Sequence, residues 1–438
     1  MGVKEIFACL SLLLTTGLHA QFNATDSVEI GISDSLEVTI PQTWIVALPF
    51  ESEDSEVENT WETSALVFRN PMAIQFYAGL RAGVDSLNEA GEQIRLVLVE
   101  HVESNNTYRV EQGGNILALN SESFMAWAQM LAGKDSTFKI IGPFRGQSSE
   151  MLADLSWGIP IINPLSRSVN TVGRPYLIAA APDRNAEIRQ LARWAFHQKI
   201  ADPTSQTVLL NDGAQNIELF MKAYLENWGD SSDIVLHPFS TDGTISRSIV
   251  GNEQTRIVSL SDKVLVTAKI LNQLRSFPNE RTELWVLGSL LTSTSLDANQ
   301  LMRQPLVWAQ IERLDYTSFQ RLDRLLLSST GCTPGRWEWL GLDMAFLCAS
   351  MPYGKPVAFE GPKRVYSWSH STDDGFVNTS ALIYAYDTEL GVIPMWLPWV
   401  DYVGKPEELH EIDQAGMELG LDSINRELLE IQENIDQQ

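Results

Sequence analysis

Lys139-Ile140-Ile141-Gly142-Pro143-Phe144-Arg145-Gly146-Gln147-Ser148-Ser149-Glu150 and, a few residues later, Gly158-Ile159-Pro160-Ile161-Ile162-Asn163-Pro164-Leu165-Ser166-Arg167-Ser168 are the stretches that decide the fold. Each is a short apolar run that ends in a polar loop. Such a run, without polar alternation, is the pattern of a strand buried on both faces. The first loop is expected to open a helix at Glu150. Strand, polar loop and helix in that order make the repeating unit of a parallel sheet, whose ligands sit outside the strand C-termini near helix N-termini.

The same unit recurs on both sides. Trp44-Ile-Val-Ala-Leu-Pro-Phe50 reads as a buried strand, followed by an acidic loop and a helix that starts at Pro71 and carries Tyr77, Leu80, Val84 and Leu87. Proline suits a first helical turn, and offsets of three and four keep one face apolar. Ile94–Val99 is the next strand. Beyond the central stretch, a helix begins at Asp183 with Ile188, Leu191 and Ala195 inward. The helix over 216–228 carries Ile217, Phe220, Met221, Tyr224, Leu225 and Trp228. Strands follow at 207–210, 234–236, 256–259 and 283–287. These units exceed one compact open sheet, so the expected fold class is α/β with two Rossmann-like lobes of parallel sheet.

The 438-residue chain has 31 Lys+Arg against 56 Asp+Glu, a net charge of −25, and is 44% hydrophobic. It can bury a core and is not globally disordered. The acid excess argues against nucleic acid, whose binding rests on Lys and Arg neutralising phosphates, and against a polybasic membrane-surface binder. Lys4, the apolar run from Ile6 to Gly17 and Ala20 before Gln21 have the parts of a cleavable secretory signal over 1–20. The run is too short to span a bilayer, and no later stretch qualifies as a span in the mature chain. Residues 21–42 read as an acidic linker. The tail 401–438 is acidic and amphipathic, with Leu421, Ile424, Leu428, Ile431 and Ile435 at helical spacing. It is either a helix docked on its own domain or a partner-binding helix. Without Cys9, the leader's cysteine, two cysteines remain, Cys332 and Cys348. They are either a single bridge or two buried thiols.

Motifs for chemistry are absent. There is no phosphate-binding loop, dinucleotide fingerprint, zinc-protease helix or nucleophile elbow. The histidines, His101 among them, are scattered singly and read as surface or satisfied side chains. No metal, cofactor or catalytic residue is expected. What remains are polar loops at strand ends: Phe50 after the first strand, Arg145, Ser148 and Ser149 after Ile141, Pro164, Ser166 and Arg167 after Ile162, and Asp212 after Leu210. Hydroxyls and N–H groups at a helix start suit an anion, or simply cap the helix. If Arg69, Arg145, Arg167 and Arg184 converge, the cleft is locally positive and favours an anionic ligand.

Taken together, Ile140-Ile-Gly-Pro143, Ser148-Ser149 and Gly158-Ile-Pro-Ile-Ile-Asn-Pro-Leu-Ser166 resemble the type I periplasmic binding protein superfamily. The nearest groups are the leucine-binding, branched-chain amino-acid proteins and their bacterial cell-envelope relatives, some joined to LysM modules. Phe76-Tyr-Ala-Gly-Leu-Arg-Ala-Gly-Val-Asp85 resembles the family's first helix and Trp339-Leu-Gly-Leu-Asp343 a late helix. Phe376–Tyr384 resembles the terminal strand of the envelope relatives. The resemblance covers about 43–400. It implies two lobes joined by three crossovers, lobe 1 over 43–180 and 305–355 and lobe 2 over 181–304 and 356–400. It places Ser148, Ser149 and Ser166 where amino-acid binders hold their ligand, and Asp183 at the start of the first lobe-2 helix. The second-lobe loop reads Asn211-Asp212-Gly213-Ala214-Gln215, without the family's aromatic–glycine pair. The expected function is that of a non-enzymatic periplasmic binding protein holding a small polar, anionic ligand in the interlobe cleft. The alternative is an envelope scaffold with a vestigial cleft that binds a protein, through its C-terminal helix or another surface.

Overall fold

The structure, a computed structural model, describes residues 41–51, 70–133, 137–183, 185–212, 216–227, 229–239, 244–245, 249, 254–277, 281–291, 296, 301, 304–314, 320–331, 333–351, 354–387 and 391–395. The expected leader, the linker up to residue 40, Arg69, Arg184, Cys332 and the tail 401–438 lie outside the described residues.

The described chain opens with β1 (Gln42–Leu48), α1 (Pro71–Glu89), β2 (Ile94–Val102), β3 (Thr107–Gln112), β4 (Asn115–Leu119), α2 (Ser121–Ala132), β5 (Lys139–Ile141), α3 (Gly146–Asp154), β6 (Ile161–Asn163) and β7 (Leu177–Ala179). It continues with α4 (Ala186–Ala201), β8 (Gln206–Asn211), α5 (Asn216–Glu226), β9 (Ile234–Pro238), β10 (Thr255–Val258), α6 (Val264–Leu274), β11 (Thr282–Leu287), α7 (Gly288–Leu291) and β12 (Leu306–Gln310). Last come α8 (Gln320–Thr330), α9 (Arg336–Ala349), the hairpin β13 (Phe359–Glu360) and β14 (Val365–Tyr366), then β15 (Trp368–Ser369), β16 (Phe376–Asn378), β17 (Leu382–Asp387) and β18 (Gly391–Met395).

Two sheets result. The first runs β15-β16-β7-β6-β5-β1-β2-β3-β4 and is parallel from β16 to β2, with antiparallel strands at both ends. The second runs β18-β17-β12-β11-β10-β8-β9 and is parallel from β12 to β9. β1 shows why its sequence is apolar throughout. Its side chains alternate across the sheet: Trp44, Val46 and Leu48 join the core under α1 and α9, while Ile45 and Ala47 join the core under α2 and α3. β8 does the same in the second sheet, with Leu209 in one core and Val208 and Leu210 in the other. α1 starts as expected: Pro71 is in its first turn and the Asn70 side chain accepts the N–H of Ala73. A proline there forfeits no helical hydrogen bond, and the capping carboxamide satisfies a free donor.

The chain passes between the sheets three times, after β7, after β12 and after β16, as the resemblance implies. The strand membership shifts the expected lobe boundaries. The resemblance places residues 306–310 in lobe 1, but β12 pairs with β11 and β17 of the second sheet. It places residues 368–378 in lobe 2, but β16 pairs with β7 of the first sheet. The apolar stretch 376–384 is therefore two strands in two sheets, not one. Asn378 causes the break. It is fully buried, its amide donates to the carbonyls of Ala180 and Val365, and its Oδ1 accepts the N–H groups of Ser367 and Ser380. A side chain that binds its own backbone two residues on is a turn former, not a strand former. The hairpin β3–β4 has no counterpart in the sequence reading. Cys348 is a buried free thiol, and burial pushes it up to about 12 against the nearby charge of Lys139.

Candidate functional site

The parallel strands of the first sheet end on one face, and the loops that follow β1, β2, β5 and β6 gather there. The loop after β5 is shaped by Gly142, whose φ of 98° is a left-handed value that only glycine adopts easily. A Cβ at that position would run into the carbonyl oxygen of Ala47 on β1. The loops after β5 and β6 are then tied by Asn163, fully buried at the end of β6. Its amide donates to the Pro143 carbonyl (2.7 Å), the Phe144 carbonyl (3.2 Å) and Ser149 Oγ (2.8 Å). Its Oδ1 accepts the N–H groups of Leu165 and Ser166.

This network uses groups that the sequence reading had given to a ligand. α3 begins at Gly146 rather than Glu150, with Arg145 at the cap position and no capping side chain. Ser148 and Ser149 therefore sit inside the first turn and are buried. Ser149 Oγ donates to the Pro143 carbonyl at 3.0 Å. Ser166 Oγ accepts the Ser168 N–H at 3.4 Å and lies against Gly146 at the start of α3. Pro164 is buried, and its carbonyl accepts Nη1 of Arg364 at 3.1 Å. Phe50 is a core residue, packed edge-on against Tyr77 with ring centroids 6.0 Å apart.

The charged candidates separate. Arg167 donates to the carbonyls of Pro182 and Asp183 across the first crossover and faces Glu187 at 4.0 Å. The carboxylate of Asp183 turns to Arg189 (2.6 Å) and to the Asn185 N–H, three residues ahead of the observed start of α4. Arg145 is exposed and reaches the Glu103 carbonyl at 3.5 Å. Asp212 lies just past β8, on the other sheet. The expected positive cleft does not form from Arg145 and Arg167. One is bound across a crossover and the other leans over the β2–β3 turn.

The pocket on this face lies beside those loops, at the ends of β1 and β2. It has a volume of about 300 Å³ and is lined by Pro49, Glu51, Glu100, His101, Val102, Glu103, Ser104 and Arg109. All belong to the first-sheet half of the chain. Glu51 has φ 54° and Asn106, at the β2–β3 turn, φ 52°. Asparagine adopts this region readily in turns, whereas a glutamate there is uncommon, and such strain collects at binding sites. His101 is buried, stacks on Tyr108 and meets Asn106 Oδ1 through Nε2 at 2.9 Å. Burial lowers its pKa, against the Asn106 hydrogen bond and the Glu103 charge, which raise it. Arg109 Nη1 pairs with Glu100 at 3.3 Å. The sequence reading missed this loop because it followed the strand ends after 48, 141, 162 and 210 and passed over the one after Val99. The signal was present: Glu100-His101-Val102-Glu103-Ser104 is a polar run directly after an apolar strand.

A charge cluster fastens the second crossover to the first-sheet half. Glu312, just past β12, takes Arg336 in a bidentate contact (Nε to Oε2 at 3.0 Å, Nη2 to Oε1 at 2.6 Å), Lys363 at 3.5 Å and Arg364 at 3.4 Å. Burial raises the Glu312 carboxyl, but Arg336, Arg364 and Lys363 together hold it below its usual value. Arg313 pairs with Glu360 and its N–H reaches the Lys363 carbonyl. Behind them Asp343 of α9, wholly buried, accepts the N–H groups of Lys363 (2.8 Å) and Arg364 (2.7 Å) and the Tyr366 hydroxyl (3.3 Å). Among the described residues no group of three or more His, Cys, Asp or Glu could hold a metal ion, and no helix is long and apolar enough to cross a membrane.

No protein-family model matches the chain, and no curated protein matches it either. Solved structures do. LpoA from Haemophilus influenzae superposes with a TM-score of 0.51 at 13% identity, over 82% of this chain and 59% of that one. The chain thus spans about three fifths of full-length LpoA. A putative branched-chain amino acid ABC transporter protein from Rhodospirillum rubrum gives 0.49 at 12% identity, over 79% and 97%. An ABC transporter substrate-binding protein from Desulfitobacterium hafniense, solved in complex with Leu, gives 0.39 at 13% identity, over 81% and 100%. The two parallel-dominated sheets and three crossovers, with the likeness to LpoA, give a fold like that of a type I periplasmic binding protein.

Proposed function

We propose that the chain is a non-enzymatic, extracytoplasmic binding protein that holds a small polar ligand at the strand-end face of its first lobe, closed over by the second. The observation that carries this reading is the pocket at Pro49–Glu51 and Glu100–Ser104. It lies outside the C-terminal ends of parallel strands, where α/β sheets bind ligands, and Glu51 in its lining holds a left-handed backbone. Closure about the three crossovers would bring the second lobe onto it. The residues expected to grip an amino acid, Ser149 and Ser166 above all, are bound within the protein, so the ligand is not expected to be held as in the amino-acid binders.

A ligand that binds only the folded state raises the melting temperature. Melting scans of the purified chain against amino acids, short peptides and muropeptides should show an upward shift with at least one class. No shift with any of them at millimolar concentration would overturn the reading. The internal use of Ser149, Asn163 and Ser166 also favours a second reading, a scaffold that binds an envelope protein through 401–438. On that reading a partner captured by the full chain is lost from a chain ending at 400, with the melting temperature unchanged.

A further inference from the structure

We propose that residues 28–32, in the chain's own N-terminal segment, add a strand to the first sheet along the edge of β4.

A sheet edge presents unpaired N–H and C=O groups, and proteins blunt it with short strands, proline or charge. Among the described residues the two sheets have four edge strands. β15 is two residues long, β9 ends in Pro238 and β18 carries Pro394. β4 has none of these devices: Asn115-Ile116-Leu117-Ala118-Leu119 holds neither charge nor proline. Gly113 and Gly114, with φ 60° and 78°, make the two-residue turn before it, so Gln112 and Asn115 close the hairpin. Hydrogen-bonded pairs alternate along an antiparallel ladder, so the N–H groups of Ile116 and Ala118 point off the edge. Ile116 is 54% exposed on one face of β4, and Leu117 is 40% exposed on the other. α2 packs on β3 beside it and leaves Met130 and Leu131 exposed at its end. An uncharged strand, bare on both faces and next to exposed apolar side chains, is an edge built to be covered.

Pattern and reach choose the occupant. Val28-Glu29-Ile30-Gly31-Ile32 and Leu36-Glu37-Val38-Thr39-Ile40 each put an apolar residue at every second position, the pattern of a half-buried strand. A strand beside β4 stands four strand spacings from β1, about 19 Å. Ile40 lies only two residues before Gln42, about 7 Å of chain, so the second run cannot cross that distance. The first run can, because residues 33–41 reach about 30 Å when extended. Direction agrees as well. β1 is parallel to β2, and β2–β3 and β3–β4 are antiparallel, so β4 runs the same way as β1. A segment antiparallel to β4 therefore ends at the end of the sheet where β1 begins. With Val28, Ile30 and Ile32 on the face of Leu117 and Leu119, they extend the core under α2, and Glu29 stays on the open face. The added strand takes the N–H groups of Ile116 and Ala118 and closes the edge to a second copy of the chain.

The test is hydrogen–deuterium exchange of the full chain without its expected leader, read by mass spectrometry over peptides that span 115–119. The slowest of these amides report the hairpin, and those of Ile116 and Ala118 report the edge. In the wild type the edge amides should exchange at least tenfold more slowly than in Ile30→Pro, which takes a donor out of the added strand. Val28→Asp combined with Ile32→Asp keeps every backbone donor and should speed exchange by a similar factor, because it unseats the apolar face. Phe22→Pro, outside the run, should leave the rate unchanged. Size exclusion should show both strand-breaking variants self-associating at concentrations where the wild type does not. Equal, fast exchange in the wild type and both variants overturns the inference and leaves the edge to another protein. Protection that disappears on dilution, together with a dimeric mass for the wild type, also overturns it and gives the edge to a second copy.

Discussion

Gly341→Ala is expected to destabilise the protein by about 4 kcal/mol or more, above the ~1–3 kcal/mol usual for an overpacked core, because the obstacle is backbone. α1 and α9 pack with their axes drawn together at glycines on both partners. A Cβ at Gly341 would overlap the carbonyl oxygen of Phe76, and one at Gly79 would overlap that of Glu338. Neither oxygen can rotate away, since both belong to helical backbone. The two helices must part, and the core that holds Phe76, Leu80, Leu342 and Ala345 opens with them. Gly79→Ala should act in the same way. Chemical denaturation read by tryptophan fluorescence checks both. A loss under ~1 kcal/mol in each would mean that the helices sit further apart than described.

Asp343→Ala, two residues on, should cost about 3–4 kcal/mol. It strands the N–H groups of Lys363 and Arg364 in a wholly buried site, at roughly 1–3 kcal/mol for each unsatisfied group. Asp343→Asn keeps one acceptor and should cost less. The pair also yields a pH prediction. Burial pushes the Asp343 carboxyl up to about 7, against the two N–H bonds and the Arg364 charge. The unfolded chain releases that proton near pH 4. Between about pH 4 and 7 the native state therefore binds more protons, and stability falls as pH rises through that window. Glu187, also raised by burial, acts in the same sense, while His101, lowered by burial, acts in the opposite one as pH drops below its unfolded value. The difference between the wild type and Asp343→Asn isolates one group. It should favour the wild type at pH 5 and shrink by a few kcal/mol on going to pH 8. A difference independent of pH would show that Asp343 does not titrate in this range.

These two residues explain a sequence signal physically. Trp339-Leu-Gly-Leu-Asp343 suggested a family likeness without saying what the glycine and aspartate do. Gly341 lets α9 touch α1, and Asp343 anchors the 361–366 loop beside the second crossover. Both serve the fold, and neither touches the pocket. Much of the architecture was legible for the same kind of reason. Runs such as Trp44–Leu48 and Thr207–Leu210 are apolar on both faces, and only a doubly covered sheet uses them. The exchange of strands at 306–310 and 368–378 was not legible. It depends on which sheet edge is vacant when the chain arrives, and on a buried Asn378 that looks in sequence like any other polar residue.

The site was less legible. Hydroxyls near a helix start have two uses, and sequence cannot choose between them. Ser149 is spent on the Pro143 carbonyl because α3 begins four residues earlier than its capping residues suggest. Arg167 and Asp183 are claimed by partners across a crossover and along a helix. The pocket residues 100–104 lie in a loop whose importance comes from the hairpin behind it, and β3–β4 left no periodic signature.

The late arrival of α9 and β16 has a consequence for how the chain is made. The first sheet starts at residue 42, yet one of its strands is residues 376–378 and the helix that seals Trp44, Val46 and Phe76 is residues 336–349. A ribosome working at about 5–20 residues per second spends roughly 8–30 s on the stretch from 180 to 335. During that interval the face of β1 that carries Trp44, Val46 and Leu48 is covered by α1 alone, while β8 to β12 of the second sheet are made. The N-terminal half cannot finish folding until nearly the whole polypeptide has emerged. A chain built in this order keeps part of its first core open for most of its synthesis, and exposure of that face to a chaperone is set by the length of the second-sheet segment.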